Sequence, residues 1–368
     1  MLLAGTLGAC PGPAPRATTR QGAGTTTDTG TTTSTGATSN PAPGEELART
    51  VDLHVDLAYA LHVRGRRIDD PGADASLDRL VRGRVGRVVI PLFVPDAWRM
   101  EPARVREEYA ATLETLMRAL GSEPASRVLS LPGAPARSDR VATLLAFEGA
   151  DGFADDPAAI GPWVRRGACL VGLVHDRSNA LAGSSQEPAA ARRLLGLTQA
   201  GRAVARAVYE SGGLVDVAHA SDAAFDEIAA IAASFSAPLV DSHTGARTLR
   251  EIERNLDDAR LTRIASSGGI VGVDLHSGHI GATPGMPASL DDLVAHVEHV
   301  ARVAGEHHVA VGSDLEGGIT APEGADGAAT WPLLARRLTH RGWSRERIDA
   351  LLRDNADRVL RRCAPSEK

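Results

Sequence analysis

A (β/α)8, TIM-like barrel preceded by a disordered tether is the fold class this sequence predicts, and three observations predict it. Eight short apolar runs recur between residues 51 and 315. Longer stretches separate them, with apolar residues three and four apart and charges between, which is the helical period. Most of the runs end in His, Asp or Glu. Parallel strands need crossover helices, so both sheet faces become covered. A closed barrel then gathers its C-terminal strand ends around the active site. An open doubly wound sheet fits the alternation as well; the polar strand ends are what favour the barrel.

Taken in order, the first run is VDLHVDL (51–57). At a strand's period of two, Asp52, His54 and Asp56 share one side while Val51, Leu53, Val55 and Leu57 take the other. GRVVIPLFV (86–94) follows, then the helix-like ARVREEYAATLETLMRAL (103–120) and ATLLAFEG (142–149). ACLVGLVHD (168–176) and GLVDVAHA (213–220) flank the amphipathic LTQAGRAVARAVYESG (197–212). The last runs are PLVDSHT (238–244), GIVGVDLH (269–276) and VAVGSDL (309–315).

Three segments precede or form this array. Residues 1–10, MLLAGTLGAC, resemble the end of a bacterial lipoprotein signal, with small residues before Cys10, although the basic n-region is missing. Residues 11–47 are dominated by Thr, Gly, Ser, Ala and Pro, too poor in apolar surface to order themselves. As a flexible coil they would reach roughly 30 Å, enough to hold a domain off a membrane. Residues 48–368 are the barrel. The expected location is therefore the cell envelope, periplasmic or surface side, with the membrane touched only through a lipidated Cys10.

A hydrophobic content of 43% supports a large core, and a net charge of -6 without a long Lys/Arg run argues against nucleic-acid binding. No stretch is long and apolar enough for a transmembrane helix. Cys169 lies in an apolar run and Cys363 in a charged C-terminal helix, contexts that favour one buried thiol and one near the surface over a disulfide.

The strand ends supply His54, Asp56, Glu148, His175, His219, His243 and Asp314. Each alone is a weak signal, because a single strand-end His is usually a hydrogen-bonded rim or core group. Together they are harder to dismiss, since burying unpaired His, Glu and Asp costs desolvation free energy. Imidazoles and carboxylates converging on one rim suit a divalent metal, zinc first. With so many ligands, two metals bridged by a carboxylate are more economical than one. Asp52, nearer the N-terminal end of its strand, reads as structural.

At this point the local sequences resemble the membrane (renal-type) dipeptidases, metallopeptidase family M19 of the amidohydrolase superfamily. The similar pieces, in order, are VDLHVDL, FEGAD, GLVHDRSNA, GLTQAGRAVARAVYESGGLVDVAHAS, DSHTGARTLREIERNLDD and HHVAVGSDLEGG. The resemblance implies two Zn2+ per chain, with His54 and Asp56 on one metal, His219 and His243 on the other, and Glu148 bridging both. It implies that His175 contacts substrate and stabilises the oxyanion, that Arg254 pairs with the substrate carboxylate, and that Asp314 is the acid/base. The implied substrate is a short dipeptide with a free C-terminal carboxylate, D-residues being tolerated at that end; a homodimer is compatible with it.

Three departures bear on substrate preference. Leu315 and Glu316 stand where the family often has Phe and Asp, DRSNALAGSS lacks the acidic residue usual near its end, and HSGHIG adds His276 and His279. The runner-up reading is another binuclear amidohydrolase, acting on lactones or N-acyl amino acids. Arg254 separates the two, because a neutral lactone has no use for a guanidinium. A third reading, a surface lipoprotein with the barrel as mere scaffold, must leave the complete ligand set unexplained.

Overall fold

In the computed structural model, residues 48–98, 100–135, 137–187 and 196–363 are described. The signal-like segment with Cys10 and the 11–47 linker lie outside them. Eight parallel strands close into a barrel in sequence order. They are β1 (Thr50–Asp52), β2 (Val85–Phe93), β3 (Ala142–Glu148), β4 (Ala168–Gly172), β5 (Leu214–Asp216), β6 (Val240–Thr244), β7 (Ile270–Val273) and β8 (Val309–Val311). β1 pairs with both β2 and β8, which excludes the open sheet.

The apolar runs form strands because nearly every residue in them is covered on both faces. Val88, Val89, Ile90 and Leu92 of β2 and Leu170 and Val171 of β4 are essentially inaccessible. The amphipathic stretches form the outer helices. Pro102–Gly121 buries Val105, Tyr109, Leu116 and Leu120, and Gln199–Glu210 buries Val204 and Val208, one turn apart. Thr198 caps the second by accepting the amide of Gly201.

Several strands are shorter than the runs that predict them, and the reason is local. In β1 the sheet ends at Asp52, whose Oδ1 accepts the amides of His54 (3.2 Å) and Ser313 (2.8 Å). That carboxylate replaces a ladder partner and turns the chain out, leaving Val55 on an isolated bridge to Leu315 and Asp56 at the N-terminus of helix Leu57–His62. Asp216 repeats the device at the end of β5, accepting from Ala218 (3.1 Å) and Ser242 (3.0 Å). The structural reading of Asp52 is thus the geometry observed, while a seven-residue first strand is not.

A second expectation is overturned. Cys169, in β4, and Cys363, in the final turn Arg361–Cys363, are joined as a disulfide, with Cα atoms 5.2 Å apart. Neither is a free thiol. The C-terminal helix Asn355–Leu360 packs on β7 and β8 and brings Cys363 back to the barrel wall, a contact no local pattern reveals.

Candidate active site

Glu148 ends β3, and its carboxylate is the point on which the site converges. Oε1 lies 3.4 Å from Nε2 of His54, 3.0 Å from Nε2 of His219 and 3.5 Å from Nε2 of His243. The Nε2 atoms of His219 and His243 are themselves 2.9 Å apart. Nε2 of His54 is buried without a hydrogen-bond partner among the described residues, and Oδ2 of Asp56 stands 3.5 Å from it. These residues lie at or just beyond the C-terminal ends of β1, β3, β5 and β6, so closure of the barrel assembles them.

The opposite ring nitrogens are held from behind. Nδ1 of His243 meets the Ser242 hydroxyl at 2.8 Å, Nδ1 of His219 meets Asp176 Oδ1 at 3.1 Å, and Nδ1 of His175 meets Asp96 Oδ2 at 2.8 Å. Such partners fix a ring's tautomer and aim its other nitrogen inward, the arrangement usual behind metal-binding histidines. Backbone strain sits here too: His219 (φ 62) and Asp314 (φ 61) occupy the left-handed region, which non-glycine residues adopt at a cost of order 1–3 kcal/mol. At Gly317 a Cβ would stand 2.7 Å from both Asp314 Oδ1 and Asp56 Oδ2, so the chain passes these carboxylates where a side chain would crowd them.

The electrostatics are those of a cation site. Burial opposes charge on His54, but the carboxylates of Glu148 and Asp56 outweigh it and hold its pKa well above the ordinary imidazole value. His243 goes the other way, pushed well down by burial and by the charges of His54 and Arg254. Burial raises Glu148, yet His54 and His175 leave it well below the usual range. Burial and the neighbouring Asp56 push Asp314 well up. Imidazole nitrogens and carboxylate oxygens gathered this closely, one nitrogen unpartnered among the described residues, fit divalent cations better than they fit each other. Three sets of potential ligand atoms lie within 4.8 Å of one another: His54–Glu148–His243, Glu148–His175–His219 and His54–Asp56–Asp314. Glu148 belongs to two of them, as does His54, and of the two only the carboxylate has a second oxygen to offer.

A cavity of about 460 Å³ opens over this cluster, lined in part by Asp56, Glu148, His175, His219 and Asp314. His54 and His243 lie beneath it, 3% and 1% exposed. Arg254 does not line it; it sits on the loop after β6, 4% exposed, with Nη2 donating to the His243 carbonyl at 2.6 Å. Its Nε and Nη1 have no hydrogen-bond partner among the described residues. All eight residues expected at the site therefore belong to one neighbourhood.

Two residues escaped the sequence reading: Asp96 and Asp176, both on the cavity wall. Asp176 ends the run ACLVGLVHD and could have been taken from the same strand-end rule. Asp96 lies beyond β2 after Pro95, and only the fold shows that it reaches His175. Of the departures, Glu316 is not in the cavity wall: its Oε1 accepts the Ala75 amide at 2.8 Å and ties down a neighbouring loop. Asn179 likewise shapes its own loop, accepting from Leu181 (2.8 Å) and Ala182 (3.1 Å).

Residues 45–367 match the family described as membrane dipeptidase, peptidase family M19. The chain is 28% identical over 301 residues to dipeptidase verJ of Clonostachys rogersoniana, covering 78% of this chain and 75% of that protein. It is 26% identical over 289 residues to dipeptidase 3 of Rattus norvegicus, covering 78% of this chain but only 58% of the rat protein. Among solved structures, a metallopeptidase from Rhodobacter sphaeroides liganded with a phosphinate mimic of the dipeptide L-Ala-D-Ala superposes with a TM-score of 0.74 at 22% identity, over 86% of this chain and 100% of that one. That likeness shows the shared fold.

Proposed function

Because the chain belongs to the membrane dipeptidase family, peptidase family M19, we propose that it is a zinc-dependent dipeptidase with two metals per chain, hydrolysing short dipeptides that carry a free C-terminal carboxylate and accepting D-residues at that end. The observation that carries the reading is Glu148 Oε1, within 3.0–3.5 Å of three imidazole nitrogens and shared between two sets of potential ligands. His54 and Asp56 would hold one ion, His219 and His243 the other, with Glu148 between them. Bound there, two cations would supply Lewis acidity toward a carbonyl and lower the pKa of a bound water toward neutrality.

The chain's own groups do the rest. Asp314, at the cavity floor beside Asp56, takes the proton of the nucleophile and returns one to the leaving amine. His175, its Nδ1 steadied by Asp96 and its pKa raised to about 9 because the Glu148, Asp96 and Asp176 carboxylates outweigh its burial, turns its other ring nitrogen to the developing oxyanion. Arg254, whose Nε and Nη1 have no hydrogen-bond partner among the described residues, supplies the guanidinium for the terminal carboxylate, with planar donors that lysine cannot copy. The L-Ala-D-Ala mimic held by the Rhodobacter sphaeroides protein supports the D-residue tolerance by analogy.

Elemental analysis of the purified protein is the test. About two transition-metal ions per chain are expected, zinc restoring full activity after chelation; one ion per chain at full activity after zinc supplementation would contradict the binuclear reading.

A further inference from the structure

The loop after β7 carries two histidines that the reaction proposed above does not use, and both line the same cavity. Asp274, fully buried, organises them: Oδ1 accepts the amide of His276 at 3.0 Å, and Oδ2 meets Nδ1 of His279 at 2.6 Å. His276 in turn accepts the amide of Gly278 on Nδ1 at 2.9 Å. The two rings lie with centroids 4.2 Å apart.

These hydrogen bonds settle which nitrogen carries a proton. An amide N–H can only donate, so Nδ1 of His276 is a bare acceptor and its proton is on Nε2. A carboxylate oxygen accepts, so Nδ1 of His279 carries a proton, and the tautomer with its proton there leaves Nε2 bare. The cavity wall thus offers a donor and an acceptor side by side, neither Nε2 having a hydrogen-bond partner among the described residues. The pair also adjoins Arg254: the carbonyl of His279 accepts Nδ2 of Asn255, the next residue along, at 2.8 Å. A group seated there belongs to the residue whose carboxylate Arg254 holds.

We propose that His276 and His279 form the subsite for the side chain of the substrate's C-terminal residue and select a carboxamide, as in asparagine or glutamine. The amide oxygen accepts from His276 Nε2 and the amide NH2 donates to His279 Nε2. A carboxylate lacks the donor that His279 needs, and an aliphatic side chain leaves both nitrogens unpaired. This inference rests on the dipeptidase reading, from which its test can be separated.

The experiment compares kcat/KM of the metal-loaded protein on L-alanyl dipeptides ending in glycine, asparagine, aspartate or leucine, the last three in L and D forms. Asparagine is expected to exceed aspartate and leucine by about tenfold, the scale of one or two net hydrogen bonds. His276→Asn keeps an N-cap acceptor for the Gly278 amide but removes the Nε2 donor. It is expected to lose that preference through KM, with a melting temperature that shows the fold intact. Equal rates for asparagine and leucine would overturn the subsite. A preference for aspartate would overturn the carboxamide assignment, since His279 would then be donating. Failure to cleave even the glycine dipeptide would remove the dipeptidase premise, and this inference with it.

Discussion

Asp314 combines a left-handed backbone with a carboxyl close to Asp56, and burial plus that like charge raise its pKa, which makes its carboxylate the stronger base. The role proposed for it is proton transfer, although it also shares a set of potential ligand atoms with His54 and Asp56. Asp314→Asn is therefore expected to retain both ions and lose at least ~100-fold in kcat, the usual scale for a general acid or base. Loss of metal would make Asp314 a ligand, and an unchanged kcat would dismiss it from the reaction. At this scale the sequence was informative about residues that sit on strand ends, since a polar group there has one place to point. It was silent about Asp96, whose contact with His175 depends on how the chain turns after Pro95. It also misjudged Glu316, whose extra methylene reaches away from the cavity to a backbone amide.

Elements carry the second kind of constraint. Helix Leu290–Ala304 turns His296 inward, where Nδ1 accepts the amide of Ala246 at 2.9 Å, pinning the start of the loop that carries Arg254. That hydrogen bond requires a bare Nδ1, and burial lowers the His296 pKa from 6.5 to about 4. With the folded value below the unfolded one, the unfolded chain binds more protons between the two. Stability from this group is present in full above 6.5 and lost as pH falls toward 4, by an amount on the order of 3 kcal/mol. Thermal melts from pH 7 to 4.5 should show a steeper fall for wild type than for His296→Gln; equal slopes would contradict this. Helices such as Pro102–Gly121 were legible because their apolar period is long. Strand lengths were over-read, because Asp52 and Asp216 look like strand residues in VDLHVDL and GLVDVAHA but end the ladder with their side chains.

For the whole molecule, the order of the eight runs was legible, and their polar C-terminal ends pointed to the closed barrel that the structure has. The Cys169–Cys363 bond joins residues far apart in the chain, which local patterns do not report. The disulfide is in keeping with an oxidising compartment; anchoring through Cys10 is a separate proposal. Replacing Cys10 by Ser should move the protein from the membrane to the soluble fraction of a bacterial host with its turnover intact. Equal fractionation of both forms would contradict the anchor. The central claim is that this barrel cleaves dipeptides held by their terminal carboxylate, and it is tested most directly by kcat/KM for a dipeptide and for its C-terminal amide, with wild type and Arg254→Lys. The account predicts that wild type prefers the free acid by about a hundredfold, the scale of a buried charge-assisted pair, and that the lysine variant loses the preference. Wild-type enzyme that treats acid and amide alike would contradict it and favour another amidohydrolase activity instead.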